Sequence, residues 1–591
     1  MDHFRRTVVL SFLAPLALFS VCYSAADAAD QNGYTAIYEC RAGGPICNID
    51  VAALGAKSCD QIITPATAPT NDWSAINWSN NVICIAAGDH SARGTLSLKA
   101  SGSNAVRKVL RYYRDGDSND EAWNQSNKAR ISAINFSGQD YWLIHRITVD
   151  AGGATPSGSE AAVFLSTGSD NNILNRMLVQ NSRSSLIGGE WRSPTYNNVV
   201  QNSVIRSSVP IYEGEPDCID PYQGQGWYIV NNEAYDCHKV FSIGAGVDDN
   251  RGMVLENNDF YVSTARYTNC QGGYNGTGPC STSEAVMSIK SGGKPDAIVR
   301  HVHNRIWGGR TGDGSLIGPS NACNGSAITL SRGELLTQPA SWLLFQNNIV
   351  MDSQQGIGGY WGPDKNDSIV GNIVYRIRQF NASCGANYGL WLSSKQNTEV
   401  YLNTIIDTDK WLTISGSDAS GGYDLNNEFR CNAVISGGVR EGSAGSGTIV
   451  DSNAFYNTTP YASGGSGQNV VPAVKQRAGS TSYAAGDIIT VGNSSSCRNT
   501  SDAACFMYKV LASGTTEAGS PQYCTTLGCT MSDGSLMLQA VRGPYAFYRK
   551  LRTAPEQVVI PYARVHTSAP EARACPSDFA SRQGIGISDE S

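Results

Sequence analysis

One short pattern recurs through the middle of this chain: an asparagine, then about three residues rich in Ile, Val, Tyr or Phe. It begins at Asn175, Asn202, Asn232 and Asn258 and continues at Asn304, Asn348, Asn372 and Asn403. It ends at Asn432 and Asn453. The steps between these asparagines are 27, 30, 26, 46, 44, 24, 31, 29 and 21 residues. Most match one coil of a solenoid, and the two long ones mark coils that carry insertions. Asn tolerates the left-handed backbone conformation that a tight bend requires. Stacked coils bring such side chains into register, where their amides bond in a ladder. The aliphatic residues that follow then stack inside the coil. A β-sandwich has no reason to repeat one turn residue near one period. The pattern therefore predicts an all-β chain folded as a right-handed parallel β-helix.

Composition agrees. Only 16% of the 591 residues are charged and 62 are Gly, which suits a turn-rich β architecture better than a helical one. A formal net charge of −7 gives no global attraction for nucleic acid. The N-terminus has the form of a secretory signal: Arg5 and Arg6, an apolar run from Val8 to Tyr23, then small Ala26 and Ala28. We expect a secreted or periplasmic monomer with no membrane span. Removal of the signal takes Cys22 and leaves an even number of cysteines. Close pairs at Cys40/Cys47, Cys59/Cys84, Cys218/Cys237, Cys270/Cys280, Cys497/Cys505 and Cys524/Cys529 suit disulfides in an exported chain. Cys323, Cys384, Cys431 and Cys575 remain for longer-range pairs.

Residues 1–29 form the signal in this scheme, and 30–99 an N-terminal cap. The β-helix occupies 100–467, with Tyr141–Thr148 one coil before Asn175 and His145 at its bend. Residues 468–545 form a small β-rich module or insertion, and 546–591 a tail that packs back.

A parallel β-helix exposes a flat sheet flanked by loops, a groove that suits a linear polysaccharide. Polar residues on that sheet are the first functional candidates. In Ser283–Gly292, alternation turns Met287 and Ile289 inward, and Ser288 and Lys290 outward. Lys290 at a strand end can act as a Brønsted base. Glu213, Glu215, Asp217 and Asp220 place four carboxylates within eight residues, a density of hard oxygen ligands that suits Ca2+. Two of them are alternatively the acid and base of a hydrolase. His238 and Lys239 lie one coil before Lys290. Tyr360, Trp361, Trp391 and Trp411 are candidate platforms for sugar rings.

The stretch Glu284 to Lys290-Ser291, followed by the bend at Asn304, resembles the polysaccharide lyase family that contains chondroitinase B and many alginate lyases. The resemblance covers about twenty-five residues, and the Glu-to-Lys spacing here is one residue longer. It implies a parallel β-helix, Lys290 as base, an Arg near the leaving oxygen, substrate contact by Glu284, and often calcium against the uronate carboxylate. The family's Arg belongs on the next coil, where this chain reads Gly314–Gly318. Arg305 and Arg310 are the nearest alternatives, and Arg310, before a Gly-rich turn, is the better placed. The expected function is β-elimination on a uronic-acid polysaccharide. A β-helix glycoside hydrolase and a non-catalytic adhesin are the alternatives. The Gly-His-Gly and Arg-x-Lys motifs of polygalacturonases do not occur.

Overall fold

A computed structural model describes residues 49–542, except 66–71, 114–128, 157–159, 208–216, 244–249, 264–284, 309–325, 331–341, 360–363, 378–386, 415–425, 436–446, 457–468, 471–473, 492–502 and breaks of one or two residues. Three parallel sheets of 14, 14 and 11 strands run the length of the coils. From Thr95 to Thr413 each coil contributes one strand to each sheet in turn. One coil, for example, runs Tyr228–Val230, Glu233–Tyr235 and Lys239–Ile243 before Val254 begins the next. The chain is a parallel β-helix. Parallel stacking begins at Gln61–Ile63, which pairs with Val82–Ala86, so coils occupy much of the region expected to be cap. What covers the first sheet there is the short helix Val51–Gly55, whose Val51 packs with Val82, Val109 and Leu143. The last coil strand is Asn469–Val470. A five-stranded sheet follows, with strands from Val474 to Arg542.

Inward columns fill the coil with aliphatic and aromatic side chains. Val200, Ile229 and Leu255 stack from the first sheet, Ile205, Ala234 and Phe260 from the second, and Ile219, Phe241 and Met287 from the third, all fully buried. In the third sheet two successive residues of each strand enter the core, such as Val240 with Phe241 and Trp411 with Leu412. Trp411 is therefore a core residue, not a platform for sugar.

The corner between the first and second sheets holds the predicted ladder. From Asn232 through Asn258, Asn304, Asn348, Asn372, Asn403 and Asn432 to Asn453, each Nδ2 donates to the next Oδ1 at 2.9–3.0 Å. Each backbone N–H on this run also donates to the next Oδ1. The second Nδ2 hydrogen reaches a carbonyl of an earlier coil, as from Asn372 to Phe345 at 2.9 Å. These buried amides are thus fully used, which removes the cost of burying them. Asn175 and Asn202 depart from the expectation. By register, the ladder positions of their coils are Met177 and Ser203. The left-handed residue is also not the ladder asparagine but the one before it: Asn231, Asn257, His303, Asn347, Gly371 and Leu402 have φ of 53–66°. Bending and bonding are done by adjacent residues.

A second ladder lies between the third and first sheets. Asn172, Asn198, Asp367 and Asn427 accept backbone N–H bonds from Trp142, Asn172, Leu343 and Thr398 at 2.9–3.0 Å. Left-handed Asn171, Asn197, Asn366 and Asn426 precede them.

Candidate active site

The longest chain connections enter one sheet. Strands Asp259–Tyr261 and Arg305–Trp307 of the second sheet are followed, after long connections, by Ala285–Ile289 and Ser326–Leu330 of the third. Strand Ser326–Leu330 falls inside the long interval between Asn304 and Asn348, so part of that insertion is itself coil strand.

On three successive strands of this third sheet the chemistry-bearing residues converge. Asp217–Asp220 carries both aspartates, Lys239–Ile243 begins with Lys239, and Lys290 ends the strand Ala285–Ile289. Asp217 and Lys239 are register partners, and Ser242 pairs with Ser288. Met287 and Ile289 point inward, as alternation demands. Ser288 points outward but is covered, with 1% of its surface exposed. A disulfide joins Cys218 to Cys237, between the aspartates and the His238–Lys239 pair. It clamps two coils together at the site, and Cys59–Cys84 and Cys524–Cys529 are also formed. The other three close cysteine pairs lie outside the described residues, as do Cys323, Cys384, Cys431 and Cys575.

Electrostatics give these groups different characters. Asp217, Asp220 and Lys239 are buried, whereas His238 and Lys290 are partly open. Burial, reinforced by the neighbouring Asp217, pushes the Asp220 carboxyl well above the ordinary carboxylate range. The charges of Lys239 and Lys290 and the backbone N–H of Tyr222, 3.2 Å from Oδ1, oppose that shift without cancelling it. Asp220 thus holds a proton more tightly than an exposed carboxyl does, the character a proton donor needs. Oδ1 of Asp217 and Nδ1 of His238 lie 3.9 Å apart, beyond hydrogen-bond range, and neither makes a hydrogen bond. Asp236 has a local structural role instead: its carboxylate accepts from the N and Oγ of Ser263, each at 2.6 Å.

The calcium expectation divides. Among the described residues no three His, Cys, Asp or Glu side chains converge as a metal site. Asp217 and Asp220, with Lys239 and Lys290 beside them, supply on their own fewer oxygens than a calcium ion takes. Glu213 and Glu215 lie outside the described residues, and so do Arg310, Glu284, Tyr360 and Trp361. Arg305 is a correction. It stands on the second sheet, not the groove sheet, and is 9% exposed. Its guanidinium bonds the Asp259 carboxylate and packs against Trp307. Trp391 is on the groove sheet and partly exposed. In the sequence Asp220 read as a calcium ligand or as one of two carboxylates acting as acid and base, and its raised proton affinity was concealed. The one available signal was its place at a strand end beside a second aspartate.

No known protein-family profile and no curated relative matches the chain. Solved structures do. PfbA, a surface adhesin of Streptococcus pneumoniae, is 11% identical, covering 73% of this chain and 90% of that one at a TM-score of 0.40. The A-module of the Azotobacter vinelandii mannuronan C-5 epimerase AlgE4 is 12% identical, covering 66% and 90% at 0.34. An alginate lyase from Paenibacillus is 10% identical, covering 70% and 99% at 0.27. Among the described residues no helix is long and apolar enough to cross a membrane.

Proposed function

We propose that this protein is an exported enzyme that cleaves a uronic-acid polysaccharide by β-elimination at the third sheet. The observation that carries this is a buried carboxyl, Asp220, whose proton affinity burial raises, within the field of Lys239 and Lys290 from the two following coils. Elimination needs a base for the proton on C5, positive charge beside the uronate carboxylate, and an acid for the departing oxygen. In this scheme Lys290 takes the proton and the C5–H electrons form the C4–C5 double bond. The C4–O bond breaks, and Asp220 protonates the leaving oxygen. Lys239 faces the accumulating negative charge. A calcium ion, held with Glu213 and Glu215, would add to that charge stabilisation, and no step is assigned to it.

Glycoside hydrolysis is the second reading, favoured by one observation: Asp217 and Asp220 share a strand, and burial raises the proton affinity of Asp220. Incubation with alginate, polygalacturonate and chondroitin sulfate separates the two. Ultraviolet absorbance from an unsaturated product supports elimination. New reducing ends without absorbance replace it with hydrolysis, and neither signal on any of the three polymers rejects both.

A further inference from the structure

The outward column of the third sheet does not stop at Ser288. It continues through Thr329 and Gly358 to Trp391. The path from the site is therefore floored by small residues. Gly358 has a φ of 141°, and a side chain there would collide with the backbone carbonyl of Trp391. Only glycine fits there, so the backbones of these two strands meet closely between Thr329 and the indole. The Trp391 ring lies 5.6 Å from that of Tyr388 on the same strand, tilted by 47°. Lys410, the register partner of Tyr388 on the next strand, holds its ammonium 5.4 Å from the Tyr388 ring centre. Two partly exposed rings and a cation thus share one end of the sheet that carries the site.

We propose that Tyr388, Trp391 and Lys410 form a remote subsite for an acidic sugar unit of the polymer cleaved at Lys290. Rings offer apolar faces to the C–H side of a sugar, and the ammonium offers charge to a carboxylate. Trp391 lies three rungs beyond Ser288, about 14 Å at the spacing of hydrogen-bonded strands. A substrate held in both places must span that distance. This inference rests on the cleavage function proposed above, and its test separates the two.

Trp391→Ala, Tyr388→Ala/Trp391→Ala and Lys410→Ala are each assayed on oligomers of increasing length from whichever polymer is cleaved. Unchanged circular dichroism spectra and melting confirm that each variant folds. KM is expected to rise about tenfold for Trp391→Ala, equivalent to about 1.4 kcal/mol, only for oligomers long enough to span three rungs. The kcat should hold. An equal loss at every length, or none on the longest chains, overturns the subsite. If wild-type protein cleaves nothing, electrophoresis through gels containing alginate, polygalacturonate or chondroitin sulfate decides. Retardation of wild type but not of Tyr388→Ala/Trp391→Ala keeps the subsite while the cleavage function falls. Equal migration rejects the subsite as well.

Discussion

The asparagine corner and the groove face repeat with the same coil period, yet they use repetition in opposite ways. At the corner each coil presents the same amide to its neighbours, and every hydrogen-bonding atom of the run from Asn258 to Asn432 is used. On the groove face the equivalent column reads Gly188, Asp220, Ser242, Ser288, Thr329, Gly358 and Trp391, with no residue type held throughout. Beside it, Asp217 and His238 keep hydrogen-bonding atoms without partners. Uniformity at one edge supplies the order that variety at the other consumes.

The largest expected effect tests the variable side. Lys290→Ala should lower turnover by about 10²–10⁴-fold without changing the melting temperature, the range for loss of a positioned base. Retained activity would remove Lys290 from the chemistry and leave the groove face as a binding surface. Next comes the clamp between the two coils of the site. Replacing Cys218 and Cys237 together by Ser should cost about 3 kcal/mol and reduce activity beyond what the lost stability explains. If activity simply tracks folded fraction, the disulfide does not position the site.

At the uniform side, Asn372→Ala strips the bonds from the N and Nδ2 of Asn348 and those to Phe345 and Asn403. A loss of about 2 kcal/mol is expected in denaturant unfolding. A loss below about 0.5 kcal/mol would show that the ladder decorates the corner and does not hold it. The smallest effect distinguishes the two corners. Burial pushes Asp367, the one acid in the second ladder, up to about 8. The folded chain therefore binds this proton more tightly than the unfolded chain. The associated stability is complete below the ordinary carboxylate pKa and is lost as pH rises towards 8, at no more than about 1.4 kcal/mol per pH unit. Asp367→Asn should flatten that slope, and an unchanged slope would assign it to other groups.

The coil period was legible because a buried amide that must meet its like leaves a chemical mark in every coil. The division of labour within each bend was not. Asn231-Asn232, Asn257-Asn258 and Asn347-Asn348 are doublets in which one residue bends and the other bonds, and identical letters hide the two roles. The same doublets at Asn171-Asn172, Asn197-Asn198 and Asn426-Asn427 announced the second ladder, but Trp227 and Met253 interrupt it, because a large side chain can also fill that corner. At the site, alternation placed Lys290 on the outward face. Arg305 was misplaced because spacing along the chain does not say which of three sheets a residue joins. The raised proton affinity of Asp220 depends on burial and on Asp217, and burial is not something a local pattern encodes.

The asparagine seam also bears on how such a protein changes over generations. Each link asks only that the next coil offer the same amide, whatever the intervening residues do. Removal of residues 348–371, one whole coil, would bring Asn372 opposite Asn304 with every bond replaceable in kind. Whole coils can then be gained or lost like beads on a string, and the reach from Lys290 to Trp391 becomes a length that heredity can adjust in single rungs.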